Sequence, residues 1–266
     1  MPDLRILKIA IFQEGENMER IERSRSTRKL LAVKENPLLN SDPDFTAITD
    51  NFVYGEVYHH GKLDSQMKEL LVLIVSCTYQ LTESLLKHTQ IALHLGVDPA
   101  IIKEAIYHCT PYIGIGKVEQ SLAAVNQLFL EKGISLPLES RGTVEENDRF
   151  LKGMETRAAI FGAGTYTAVD RASDDLKHIQ EYLCGYCFGD FYTREGLNLK
   201  QRELLTLCML AALGGCESQV KSHIKGNQKV GNEKSDMIEA ITICMPYIGF
   251  PRTLNAIACI NEIIPE

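Results

Sequence analysis

The chain contains one long stretch twice, and this repeat limits its possible folds more than any other feature. R-E-L-L at Arg202–Leu205 is followed by G-G-C-E-S-Q-V-K-S-H at Gly214–His223, then Gly231, then P-Y-I-G at Pro246–Gly249. Half a chain earlier stand K-E-L-L at Lys68–Leu71, T-E-S-L-L-K-H at Thr82–His88, Gly96, and P-Y-I-G at Pro111–Gly114. His88/His223, Gly96/Gly231, Glu104/Glu239, Cys109/Cys244, Pro111/Pro246 and Asn126/Asn261 pair at one shift of 135. Upstream, Gly55/Gly189, Tyr58/Tyr192, Leu63/Leu197 and Glu69/Glu203 pair at 134, so one residue has been inserted near Gly214-Gly215. A period this long is not that of a solenoid; it marks two copies of one small domain.

The 266 residues leave room for two such domains. We divide the chain into an N-terminal arm over 1–40, a first domain over 41–133, a linker over 134–147 and a second domain over 148–266. The arm is charged over Glu19–Ala32, as an exposed helix or a strap against another subunit would be, and Met18 is an alternative start. Asp42-Pro43 opens a helix expected to run to Tyr58, with a proline in the first helical position. Asp64 is placed as the N-cap of the next helix, over Lys68–Thr78. A helix from Thr82 reaches Gly96, where a left-handed C-cap belongs. Asp98-Pro99 starts another, which Pro111 is expected to stop. Lys117–Glu131 closes the first copy; Asp148–Phe161 and Lys177–Cys187 lead into the second. Almost nothing alternates with a period of two, so the fold class is all-α.

Charge and apolar content exclude several functions. A net charge of −7 supplies no basic face for nucleic acid. The longest apolar run, Leu70–Cys77, falls far short of the roughly 20 residues a membrane span needs, and Leu4–Phe12, broken by Arg5 and Lys8, does not read as a signal peptide. Eight cysteines without a secretory signal predict a reduced, cytoplasmic protein.

Helical spacing places Cys216, Gln219 and His223 on one stripe, and Leu81, Ser84 and His88 on its counterpart. Glu203 and Glu69 lie about 20 residues before these histidines, within reach across an antiparallel helix pair. A carboxylate beside an imidazole tunes it for proton transfer near neutral pH.

The pattern R-E-L-L…G-G-C-E-S-Q…H…G…P-Y-I-G-F-P-R-T-L-N-A resembles the carboxymuconolactone decarboxylase family, whose superfamily also holds the AhpD-type alkylhydroperoxidases. R-F-L-K-G-M-E-T-R-A-A-I-F-G (Arg149–Gly162) and F-G-D-F-Y (Phe188–Tyr192) resemble the decarboxylase branch. The resemblance implies two tandem AhpD-like helical domains and a homotrimer of doubled chains forming a pseudo-hexamer. It implies a small carboxylated substrate and no cofactor. Site residues carried over are Glu203, Cys216 and His223, with Glu69 and His88 as the poorer second site; Arg202, Lys225 and Arg252 are candidates for the substrate carboxylate. The redox branch has Cys-x-x-Cys-x-x-x-His on this stripe. Here Gln219 replaces the second cysteine, and Leu81 and Ser84 replace both in the first copy, which removes the thiol pair that a disulfide cycle requires.

The leading expectation is therefore a cofactor-free lyase, against a thiol-dependent hydroperoxidase or a non-catalytic oligomeric binding protein. Cys184 and Cys187 read as structural thiols, with a redox pair as the alternative. The P-Y-I-G motifs read as a helix stop and a close-packing turn, not as part of a site.

Overall fold

The computed structural model describes residues 19–265, and every regular element among them is helical. Expectations for residues 1–18, including a start at Met18 and the Leu4–Phe12 run, lie outside the described residues. No helix among the described residues is long and apolar enough to cross a membrane. The chain forms two compact units, a smaller one ending at Gly61 and a larger one beginning at Lys62.

The smaller unit holds a helix over residues 19–30 (α1) and another over Pro43–Gly55 (α2), with short 3-10 turns at Pro37–Leu39 and Val57–His59. Pro43 opens α2 as expected, but the helix ends at Gly55 rather than Tyr58. Arg28 pairs with Asp50 at 3.0 Å, and Ser24 donates to the Asp50 carbonyl at 2.9 Å. Gly55 leaves room for the Arg20 carbonyl, which a Cβ would strike.

The larger unit is built on two helices buried on all sides, α3 (Ser65–Tyr79) and, later in the chain, α11 (Leu199–Leu213). Such helices belong at the centre of a bundle. Asp64 caps α3 by accepting from the Met67 amide, and Asn198 with Gln201 forms a capping box on α11. Around α3 stand α4 (Thr82–His94), α5 (Pro99–His108), the single turn α6 (Thr110–Ile113) and α7 (Ile115–Glu131). The linker over 134–147 has no regular element. Next come α8 (Arg149–Phe161), a 3-10 turn (Ala163–Thr167), α9 (Ala168–Arg171), α10 (Lys177–Tyr182) and a π-helix over Leu183–Tyr192. Packed on α11 are α12 (Glu217–Lys229) and α13 (Lys234–Ile263), which bends at Gly249. Helices α3 and α11 also pack on one another, so the copies share a core.

Two expectations are corrected. Helix α5 ends at His108, just before Pro111 as expected, but the chain turns sharply at the glycines of P-Y-I-G: Gly114 has φ 90° and Gly249 has φ 76°, whereas Pro111 sits in the first turn of α6 and Pro246 lies inside α13. Only glycine takes those φ values without steric cost. The helix after Lys177 also widens into ten residues of π-helix, a form usually limited to a single turn and frequent at functional sites.

Candidate active site

Helices α11 and α12 bring Glu203 and His223 together, with Nδ1 of the imidazole 2.8 Å from the Glu203 Oε2. Asn227 ties the two helices, its amide donating to the Glu203 carbonyl at 3.0 Å and to the His223 carbonyl at 2.8 Å. Gly226 makes the approach possible, since a Cβ there would lie 2.6 Å from the Glu203 Oε2. Glu203 is fully buried and the His223 side chain is 10% exposed. A carboxylate only accepts hydrogen bonds, so the Nδ1 proton points at Glu203, and in the neutral ring Nε2 carries the lone pair. Among the described residues that Nε2 has no hydrogen-bond partner.

The first copy repeats the pair on α3 and α4, with His88 Nδ1 2.6 Å from the Glu69 Oε2. Here the other nitrogen is occupied: the Tyr247 hydroxyl lies 3.1 Å from His88 Nε2.

Each histidine is covered by the tyrosine of the other copy's P-Y-I-G motif. Tyr112 meets His223 edge-on at 5.8 Å between ring centroids, and Tyr247 meets His88 at 5.4 Å. The motif therefore contributes a side chain to each pair as well as a turn, which corrects the sequence reading. A third ring, Phe161 at the end of α8, packs on His223 at 5.2 Å. Phe161 also borders a cavity of about 270 Å³ lined by Ile160, Gly162, Ser222, Lys225 and Lys229. A larger hollow of about 830 Å³ lies between α8 and the π-helix; Arg149, Phe150 and Asp190 of the two motifs quoted from sequence line it, but none of the candidate site residues does.

The remaining candidates are dispersed. Arg202 is wholly buried, donating to the carbonyls of Leu197 and Arg194 and lying 3.6 Å from Glu104, so it is not available to a ligand. Arg252 donates to the Ala212 carbonyl at 2.5 Å and lies over the Tyr79 ring. Of the three basic residues proposed for a substrate carboxylate, only Lys225 lines the cavity beside Phe161. Cys216 is the N-cap of α12, seven residues and about 10 Å of helix rise from His223. It borders a separate cavity of about 20 Å³ with Arg252 and Cys259, and burial pushes its thiol up. Gln219, expected on the same stripe, is exposed.

All eight cysteines are free. Cys184 and Cys187 are buried in the π-helix, and burial pushes the Cys187 thiol up to about 12. Cys187 packs with Ile160, Phe188 and Tyr192 in the wall behind the pair. Sequence reasoning missed Tyr192, whose hydroxyl donates to the Glu203 Oε1 at 2.7 Å. The matched Tyr58/Tyr192 and the repeated P-Y-I-G were the available signals.

The comparisons agree with this architecture. The model of the carboxymuconolactone decarboxylase family matches residues 43–127 and again 177–262. A 4-carboxymuconolactone decarboxylase from Acinetobacter baylyi is 24% identical over 124 residues, 46% of this chain and 92% of that protein. A solved structure described as a candidate gamma-carboxymuconolactone decarboxylase subunit from Burkholderia xenovorans shares the fold. It aligns with a TM-score of 0.55 and 19% identity, over 88% of this chain and 94% of that one. With most of its length matched in two successive segments, the chain belongs to the carboxymuconolactone decarboxylase family and carries the domain in tandem.

Proposed function

We propose that the protein is a cofactor-free lyase that decarboxylates a small carboxylated ring or lactone, working at Glu203 and His223. The observation that carries this reading is an imidazole with Nδ1 held by a buried carboxylate and Nε2 without a hydrogen-bond partner among the described residues, packed against Phe161, which borders the cavity that also holds Lys225. In the reaction the bond from the ring carbon to the carboxylate breaks and CO₂ leaves. The electron pair stays on the ring carbon, spread into a neighbouring carbonyl or double bond of the substrate. Nε2, having first taken a proton from solvent to make the imidazolium, delivers that proton to the carbon and returns to the neutral ring. Glu203 stabilises the imidazolium while it exists and fixes the ring orientation. Lys225, with Lys229 one turn further on α12, orients a carboxylate that is not lost.

The second copy is proposed as the working site because Tyr247 occupies the corresponding nitrogen of His88. A peroxide-reducing thiol cycle finds less support. Cys216 sits apart from the pair, and the Cys187 thiolate is strongly disfavoured where it is buried.

The test is CO₂ release across a panel of cyclic carboxylated lactones and unsaturated ring acids in deuterated water. One deuterium should appear at the former carboxyl-bearing carbon. His223→Gln should lower the rate about 10²–10⁴-fold, the usual worth of a general acid, while His88→Gln leaves it nearly unchanged. Full activity in His223→Gln would sink the assignment.

A further inference from the structure

Glu203 has two carboxylate oxygens, and only Oε2 faces His223. Oε1 accepts from the Tyr192 hydroxyl at 2.7 Å. Tyr192 in turn lies 2.6 Å from the Tyr112 hydroxyl and 3.0 Å from the Thr206 hydroxyl. Thr206 lies 2.9 Å from Nε2 of His108, and the same nitrogen is 3.2 Å from the Arg202 carbonyl.

The direction of every bond in this cluster follows from its ends. Arg202 only donates, so the His108 Nδ1 facing its guanidinium at 3.4 Å carries the lone pair. The proton of His108 is then on Nε2 and points to Thr206. Tyr192 gives its single proton to Glu203, so Thr206 and Tyr112 must both donate to Tyr192. Burial holds the phenols of Tyr112 and Tyr192 well above their ordinary range and holds His108 well below its own, which keeps all three neutral.

The repeat supplies an independent observation. At the position of Thr206 the first copy has Val72, and at the position of His108 the second copy has Ile243. Thr206 and His108 are thus present around the Glu203 pair, while their own repeat counterparts are apolar.

We propose that Tyr192 is a positioning residue for His223. By donating to the Glu203 Oε1 it keeps that carboxylate aligned on His223, and so holds the imidazole with its proton on Nδ1 and its lone pair on Nε2. Tyr112, Thr206 and His108 hold the Tyr192 proton in the direction of Glu203. The inference deepens the proposed proton-transfer role of His223 and rests on it.

The titratable neighbours are few. Tyr192 and Cys187 come from the π-helix, Tyr112 from α6 and His108 from α5. Lys225 and Lys229 lie on α12 itself, and α8 brings the apolar Ile160 and Phe161. On α3 and α13, Lys68 pairs with Glu239, Glu69 with His88, Asp236 with Lys200 and Glu262 with Lys221, and Arg252 donates to the Ala212 carbonyl.

The test uses the full chain with ¹⁵N-labelled histidine, the His223 ring signals being assigned by their loss in His223→Gln. Tyr192→Phe keeps the ring and removes the donor. A donor to the anionic form lowers the proton affinity of the Glu–His pair, so its loss should move the His223 titration midpoint upward by about one pH unit. It should also introduce the Nε2–H tautomer at neutral pH. Tyr186→Phe on the same π-helix should change neither. Thr206→Val and Tyr112→Phe, which weaken the cluster without touching Glu203, should give smaller upward shifts and carry the test if Tyr192→Phe does not fold. Folded variants with the parent midpoint and tautomer overturn the proposal. Because the readout needs no substrate, a panel without CO₂ release alongside a shifted titration would remove the reaction and leave the positioning role standing.

Discussion

Arg202, His108 and Glu104 never meet solvent, yet they set the electrostatics behind the site. Glu104 takes three hydrogen bonds from Arg194, between 2.8 and 3.0 Å, and sits 3.6 Å from Arg202. His108 is fully buried, and burial first, then the Arg202 charge, depresses its proton affinity far below 6.5. In the unfolded chain it titrates at its ordinary value, so the folded state binds fewer protons as the pH falls below that point. Its contribution to stability is therefore complete above about pH 6.5 and is lost progressively in more acidic solution. The urea midpoint of the parent should fall between pH 7.5 and pH 5.5 by more than that of His108→Gln; equal falls would remove His108 as a source of acid sensitivity. Of the site residues, Glu203 and His223 were legible because the repeat aligned them with Glu69 and His88. His108 and Tyr112 were not, since they reach the pair from the other copy and no spacing along the chain encodes that meeting. Cys216 caps α12 instead of lying within it, so it borders a separate cavity and helical spacing did not bring it beside His223.

Among the elements, the contact between α8 and the π-helix is made at backbone distance. A Cβ on Gly153 would run into the Cys184 carbonyl and lie 2.7 Å from the Gly189 amide, while one on Gly189 would strike the Arg149 carbonyl. The obstacles are main-chain atoms, which cannot swing aside as a side chain does. Gly153→Ala should therefore lower stability by about 1–3 kcal/mol, the usual range for overpacking, and a thermal melt would show it; an unchanged melting temperature would mean that the two helices slide apart without cost. Most helix starts were readable from caps, Asp64 and Asp98-Pro99 above all, because capping is a local event. The wider turn of the π-helix was not, because an i to i+5 ladder has the same apolar content as an ordinary helix. Pro246 misled for a related reason: it occupies a place near a helix bend, where a missing amide proton costs little.

At the scale of the larger unit, the two copies are joined by reciprocal contacts. Glu104 of the first accepts from Arg194 of the second, and Glu239 of the second accepts from the Lys62 and Leu63 amides of the first at 2.6 and 2.7 Å. Tyr112 and Tyr247 cross over each other's histidines in the same way. Residues 134–266 produced alone should thus lack the Tyr112 and His108 that the first half brings to the Glu203–His223 pair, and should regain activity only when mixed with residues 1–133, which a titration of one half into the other would measure. Activity of the isolated second half would contradict this dependence. In an assembly of identical single-copy chains, any substitution appears at every equivalent position, so improving one centre alters all of them. Encoding both partners on one polypeptide breaks that symmetry. Tyr247 can close one centre while Thr206 and His108 furnish the other, and each half is free to specialise as the servant of its neighbour.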